Sequence, residues 1–257
     1  MPPHSPLEVE TAFGPARVLI EEPDGPPSFL LALTHGAGGG VDTPDLLAVR
    51  DAALRLGGTV ARITQPYRVR GARAPGSAAR QDAAWVEIIT ALRARPLASP
   101  AEPVPSGPGG ALARGRDGVL PRGGEAALPL VQGGRSNGAR VACRTAAEVD
   151  AVAVVALAFP LRPPGRPDRS RAAELRIPGR KLLIVSGDRD PFGVPGRRAG
   201  ARVVVLAGET HALSRRPAEV GRAVTAWLPR ALGLPQGQRA ARGRGVDGAR
   251  KSARPAG

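Results

Sequence analysis

The sequence predicts an α/β fold: a mainly parallel central sheet with helices on both faces and an antiparallel hairpin at one edge. Three observations carry that expectation. From Phe29 to Leu232 short apolar runs alternate with helical patterns, and alternation at that spacing builds crossover units with parallel strands. The first two runs, between Glu8 and Glu21, instead flank Gly14-Pro15 with little between them, which reads as a hairpin. The 257 residues are 42% hydrophobic but only 3% aromatic, so a sizeable core forms and must rest on Ala, Val and Leu.

Each element has its own local reason. Phe29–Thr34 is an apolar strand. Thr43-Pro44-Asp45 opens a helix through Leu56, with proline in the first turn and an acid near the positive dipole end, and Gly57-Gly58 closes it. Thr59–Thr64 reads as a strand, and Ser77–Arg93 as a helix with Ala84, Ile88 and Leu92 on one face. Between Ala94 and Ala127 periodicity stops in a Pro/Gly-rich stretch, which reads as a surface insertion because ordinary connections run to about 4–6 residues. Leu128–Gln132, Ala151–Ala158, Lys181–Ser186 and Arg202–Leu206 follow as buried strands, with helices at Asn137–Ala147, Ser170–Leu175 and Pro217–Leu232. The expected domain is 7–232, followed by a basic tail, 233–257, expected to be disordered.

Composition excludes several classes of function. The longest apolar run, Ala151–Phe159, is far short of the ~20 residues of a membrane helix, and the N-terminus has no signal-peptide pattern, so a soluble, cytoplasmic protein is expected. A single cysteine, Cys143, forms no internal disulfide and no cysteine-rich zinc site. The net charge of +15 raises nucleic acid as a partner, but Lys181 and Lys251 are the only lysines among 37 basic residues. Arginine with Ala, Gly and Pro is the signature of GC-rich codons, so nucleic acid is disfavoured.

In sheets of this kind chemistry sits at the carboxyl ends of the strands. After Leu128–Gln132 comes Gly134-Arg135-Ser136-Asn137-Gly138, a Gly-x-Ser-x-Gly turn into a helix. Small residues on both sides allow a sharp turn that lifts the hydroxyl out of the sheet, and the helix N-terminus offers free N–H groups to an oxyanion. After Lys181–Ser186 come Asp188 and Asp190. Asp190 is the expected partner of a histidine, since Asp188 lies closer to the strand and suits local backbone N–H groups. After Arg202–Leu206 comes His211. The order Ser136, Asp190, His211, each at its own strand end, is that of α/β-hydrolase triads. Thr34-His35-Gly36-Ala37-Gly38-Gly39-Gly40 would supply the second half of an oxyanion hole, with Ala37 and Asn137 N–H as donors. It lacks the Gly-Lys-Ser/Thr ending of a phosphate loop.

Thr34–Gly40, Gln65–Val69, Gly134–Arg140, Phe159–Gly165, Gly187–Gly193 and His211–Leu213 together resemble the small α/β-hydrolase-like family similar to dienelactone hydrolases. That family includes bacterial predicted hydrolases and the hydrolase-like domain of a chromatin acetyltransferase complex subunit. The resemblance spans roughly Leu7 to Leu232 and implies the α/β-hydrolase fold and hydrolase activity. Dienelactone hydrolases use cysteine where this chain has Ser136. The insertion, Arg162 in place of an expected histidine, and the basic tail also depart from the pattern.

The resulting expectation is a serine hydrolase acting on a small carboxylic ester, thioester or related acyl compound, needing no metal or organic cofactor. The alternative is a catalytically weak hydrolase-like binding or scaffold protein whose tail engages nucleic acid or an acidic partner. Cys143 reads as a small buried hydrophobe, Arg68, Arg70 and Arg73 as a solvated loop or an acid-binding mouth, and His4 and His35 have no evident partner, although His35 suits a loop turn. The tail separates the two readings. Arg239, Arg242, Arg244, Arg250, Lys251 and Arg254 face only Asp247, with no aromatic residue to stack on a base. Deleting 236–257 should leave the thermal midpoint unchanged, and the intact chain should show no tight DNA binding at physiological salt. Tight, steeply salt-dependent binding lost on truncation would favour the scaffold.

Overall fold

The computed structural model describes residues 6–95, 127–163, 165–166 and 168–234. Most of the insertion, 96–126, and the tail from 235 lie outside the described residues, as does His4. Eight strands form one sheet in the order β1-β2-β4-β3-β5-β6-β7-β8. β1 (Leu7–Val9) and β2 (Ala16–Glu21) are the expected antiparallel pair, and β2 also runs antiparallel to β4 (Gly58–Thr64). From β4 onward every pairing is parallel: β3 (Phe29–Thr34), β5 (Leu130–Arg135), β6 (Ala153–Leu157), β7 (Lys181–Gly187) and β8 (Ala201–Leu206).

The central strands bury every residue because helices cover both faces. Alternation sorts each strand into two cores. Leu30, Ala32, Val154, Ala156, Leu182 and Ile184 pack with α3 (Ala78–Arg93) and α4 (Asn137–Thr145). Leu31, Leu33, Val155, Leu157, Leu183 and Val185 pack with α1 (Pro44–Arg55) and α5 (Pro217–Leu232). A short helix, α2 (Pro66–Val69), follows β4. Few of these side chains are large, so the fully buried Trp85 matters. Its Nε1 donates to Gln132 Oε1 at 2.6 Å, and Gln132 Nε2 donates to the Ala142 carbonyl at 2.7 Å. This buried amide in β5 ties both covering helices to the central strand.

The structure departs from the sequence reading at three places. β5 runs on to Arg135 instead of stopping at Gln132, because Gly133 and Gly134 are strand residues. A Cβ on Gly133 would stand 2.6 Å from the Val155 carbonyl oxygen, so glycine here marks close strand packing rather than a turn. The helix expected over Ser170–Leu175 is a single 3-10 turn, Ala172–Leu175, held by Glu174, which pairs with Arg140 of α4 at 2.7 Å. α2 was not expected, since four residues carry no periodicity. It starts on Pro66 after extended Gln65.

Arg62 projects from β4 yet is nearly buried, paired with Glu21 at 2.7 Å and with Asp42. Among the described residues no helix is long and apolar enough to cross a membrane, and no three His, Cys, Asp or Glu side chains come together as a metal site. Cys143 is buried against the sheet, and burial, with the nearby Glu174 charge adding to it, pushes its thiol up to about 12. The native protein should therefore resist iodoacetamide at pH 8 and react stoichiometrically once unfolded. Fast alkylation of the folded chain would contradict this placement.

Candidate active site

Ser136 sits between β5 and α4 with φ 53° and ψ −110°, a backbone conformation that L residues rarely adopt. The turn is held from both sides. Ser136 N–H donates to the Leu157 carbonyl at 2.8 Å, and Arg140 N–H to the Ser136 carbonyl at 3.2 Å. Glycines make it possible. A Cβ on Gly134 would stand 2.7 Å from the Thr34 carbonyl oxygen and from the Gly138 backbone, and one on Gly138 would stand 2.7 Å from the His35 oxygen. Neither neighbour is a flexible side chain, so nothing larger fits.

Asp190 follows β7 and His211 follows β8. The two loops touch: Arg189 N–H donates to the Glu209 carbonyl at 2.9 Å. His211 Nδ1 lies 2.8 Å from Asp190 Oδ2, and His211 Nε2 lies 2.8 Å from Ser136 Oγ. With Nδ1–H given to the carboxylate, Nε2 is left to accept from the serine hydroxyl. Asp190 is only 7% exposed, and its second oxygen accepts from Phe192 N–H at 2.9 Å. The Phe192 ring meets the imidazole edge-on, with centroids 4.5 Å apart. Asp188 instead accepts from Gly208 N–H at 2.7 Å.

The loop after β3 lies against Ser136, where a Cβ on Gly36 would be 3.3 Å from the Ser136 Cβ. The Ala37 carbonyl accepts from the Tyr67 hydroxyl at 3.3 Å. Burial pushes that phenol up to about 12, which keeps it a neutral donor. Asn137 is the first residue of α4, whose opening N–H groups have no partner within the helix, and its side chain donates to Gln81 at 2.6 Å. His35, with no evident partner in the sequence, is fully buried. Its Nδ1–H donates to the Gly36 carbonyl at 2.8 Å, and its Nε2 accepts from Gln65 N–H at 3.1 Å. Burial lowers its pKa, so the ring is a neutral brace for the loop.

Arg135 and Asp45 escaped the sequence reading. Arg135 lies inside the serine turn and donates to the His211 carbonyl at 3.1 Å, while its Nε stands 3.2 Å from Asp45. Asp45 has no exposed surface, and burial raises its pKa against the opposing pull of Thr43 and Arg135. One arginine thus links the loop holding the histidine to the first turn of α1. A charged residue between Gly134 and Ser136 was the available signal, although its partner lies 90 residues earlier in the chain. Arg135→Leu should cost about 3–5 kcal/mol in urea unfolding by leaving a buried carboxylate unpaired. Adding Asp45→Asn should recover most of that loss, and additive effects of the two changes would refute the pairing.

A family model described as an alpha/beta hydrolase domain matches residues 112–213. No curated protein matches the chain. Among solved structures, an alpha-beta serine hydrolase homologue from Coxiella burnetii superposes with a TM-score of 0.65 at 15% identity, covering 88% of this chain and 98% of that one. A serine hydrolase without a lid from Xanthomonas campestris gives 0.62 at 18% identity, covering 88% and 95%. Dienelactone hydrolase from Anabaena variabilis gives 0.58 at 17% identity, covering 88% and 99%. The chain therefore has the α/β-hydrolase fold and is similar to small bacterial serine hydrolases and to dienelactone hydrolase.

Proposed function

We propose that this protein is a serine hydrolase that cleaves a small carboxylic ester, thioester or related acyl compound. The observation that carries the reading is the unbroken chain Ser136 Oγ, His211, Asp190, with both links at 2.8 Å. Ser136 attacks the acyl carbon while His211 Nε2 takes its proton, and the carbonyl electrons move onto oxygen. Backbone N–H groups of Ala37 and Asn137 receive that charge, on either side of Ser136. Collapse of the tetrahedral species expels the alcohol or thiol, which leaves with the proton from His211. Water, deprotonated by the same nitrogen, then releases the acid and restores the serine. Asp190 holds the imidazole tautomer and offsets the positive charge that forms on it. Every step uses side chains and backbone of this chain, so the reading calls for no metal or organic cofactor.

Fluorophosphonate labelling of the full chain tests the assignment. Ser136→Ala should abolish labelling and lower any esterase rate by roughly 10⁴-fold or more, and His211→Ala should be about as damaging. Asp190→Asn should cost no more than either, while Asp188→Asn should be mild, since that carboxylate serves a backbone N–H. Equal labelling of wild type and Ser136→Ala would overturn the nucleophile, and the opposite ranking of the two aspartates would overturn the acid.

A further inference from the structure

Arg135 does more than satisfy Asp45. The three nitrogens of its guanidinium face three different parts of the candidate site. Nη2 donates to the carbonyl of His211 itself at 3.1 Å, and Nε stands 3.2 Å from Asp45 in the first turn of α1. Nη1 lies against the loop after β3: a Cβ on Gly36 would stand 3.5 Å from it, and one on Gly39 would stand 4.0 Å away. Those two glycines close a turn around Ala37, since Gly39 N–H donates to the Gly36 carbonyl at 3.2 Å. The backbone that carries this side chain runs directly into Ser136. One rigid plane therefore touches the loop of the base, the loop assigned to the oxyanion and the helix that follows it.

The other bonds of the histidine loop lie to one side of His211. The Glu209 carbonyl accepts from Arg189 N–H at 2.9 Å, and the Glu209 carboxylate accepts from Arg216 N–H at the start of α5. Among the described residues Arg135 alone bonds to the main chain of His211. Leu213, two residues later, is held at φ 49°, a conformation that persists only under restraint from its surroundings. The Arg135 side chain is only 16% exposed, so it acts on these loops and not on a substrate. A lysine would supply the charge that Asp45 needs, but an ammonium is one point of contact where the guanidinium presents three edges in a fixed plane.

We propose that Arg135 is a positioning residue: it sets His211 and the Ala37 loop in register with Ser136, so that base, nucleophile and oxyanion donor are held at their working distances by one side chain. The catalytic role rests on the hydrolase reading of Ser136; the anchoring of His211 does not.

The test uses the full chain in two forms that leave no buried carboxylate unpaired. Arg135→Leu with Asp45→Asn removes both charges, and Arg135→Lys keeps the charge without the fork. Thermal midpoints show that each is folded, and Arg135→Lys carries the test if the double variant is not. With 4-nitrophenyl butyrate each folded variant should lose between about tenfold and 10²-fold in kcat while KM stays within about twofold, because misplacing reacting groups by 1 Å costs rate and not binding. Fluorophosphonate labelling should slow in parallel. A side chain that only neutralised Asp45 would leave kcat at the wild-type value in both. Long-range 1H–15N correlation spectra of the chain labelled at its three histidines read the anchor without turnover. The His211 ring signals, identified by their loss in His211→Ala, should move toward the averaged values of a free imidazole, while those of His35 stay in place. If the wild-type chain cleaves no ester and takes no label, the hydrolase reading fails and the spectra alone decide the anchor. Wild-type kcat in a folded variant, a loss carried by KM, or unmoved His211 signals overturns the proposal.

Discussion

The constraint on which the rest of the structure depends is the absence of space around Ser136. A residue held at φ 53° costs on the order of 1–3 kcal/mol and persists only where its surroundings over-determine it. Here the surroundings are the two central neighbours of β5, one on each side. β3 brings the Thr34 and His35 carbonyls against Gly134 and Gly138, and the end of β6 takes the Ser136 N–H. α4 is then fixed along its length: Arg144 forks onto Asp82 of α3, and Arg140 forks onto Glu174. Strain at one residue is thus balanced by the neighbouring strands and by pairings within the covering layer to which α4 belongs.

The legible part of the sequence was the part whose causes are local. Alternating apolar runs and helical patterns gave the architecture because each strand buries both of its faces, a property visible within six residues. The placement of Ser136, Asp190 and His211 at three strand ends was legible for the same reason, and the preference for Asp190 over Asp188 rested on the distance of each from the strand and on the suitability of Asp188 for local backbone N–H groups. The hidden features depend on what is packed across the gap. Gly133 looked like the start of a turn because nothing in its neighbours announces the Val155 carbonyl. His35 looked unpartnered because its partners are backbone groups, one of them 30 residues away. Arg135 and Asp45 each have an ordinary local explanation, and their pairing exists only once β5 lies beside β3.

The arginine-rich composition has an uneven result. Composition does not say where each arginine goes, and the fold has absorbed several as structure: Arg62 against Glu21, Arg140 and Arg144 against the acids of neighbouring helices, Arg135 against Asp45. At Arg140 and Arg144 the forked guanidinium satisfies a carboxylate with two parallel hydrogen bonds, to Glu174 and Asp82, where an ammonium offers a point charge.

The direction of β5 has a consequence for the chain around it. The connection from α3 leads into the beginning of this strand at Leu130, and Ser136 lies past its other end, so Leu130 and Ser136 are separated by the strand's whole length, roughly 20 Å. New sequence entering between α3 and β5 is rooted at the sheet's amino edge, away from the carboxyl edge where the loops carrying Ala37, Asp190 and His211 converge. Evolution could lengthen this connection without displacing the serine turn, and the same geometry makes it the natural place to open the chain for circular permutation or to splice in a reporter domain.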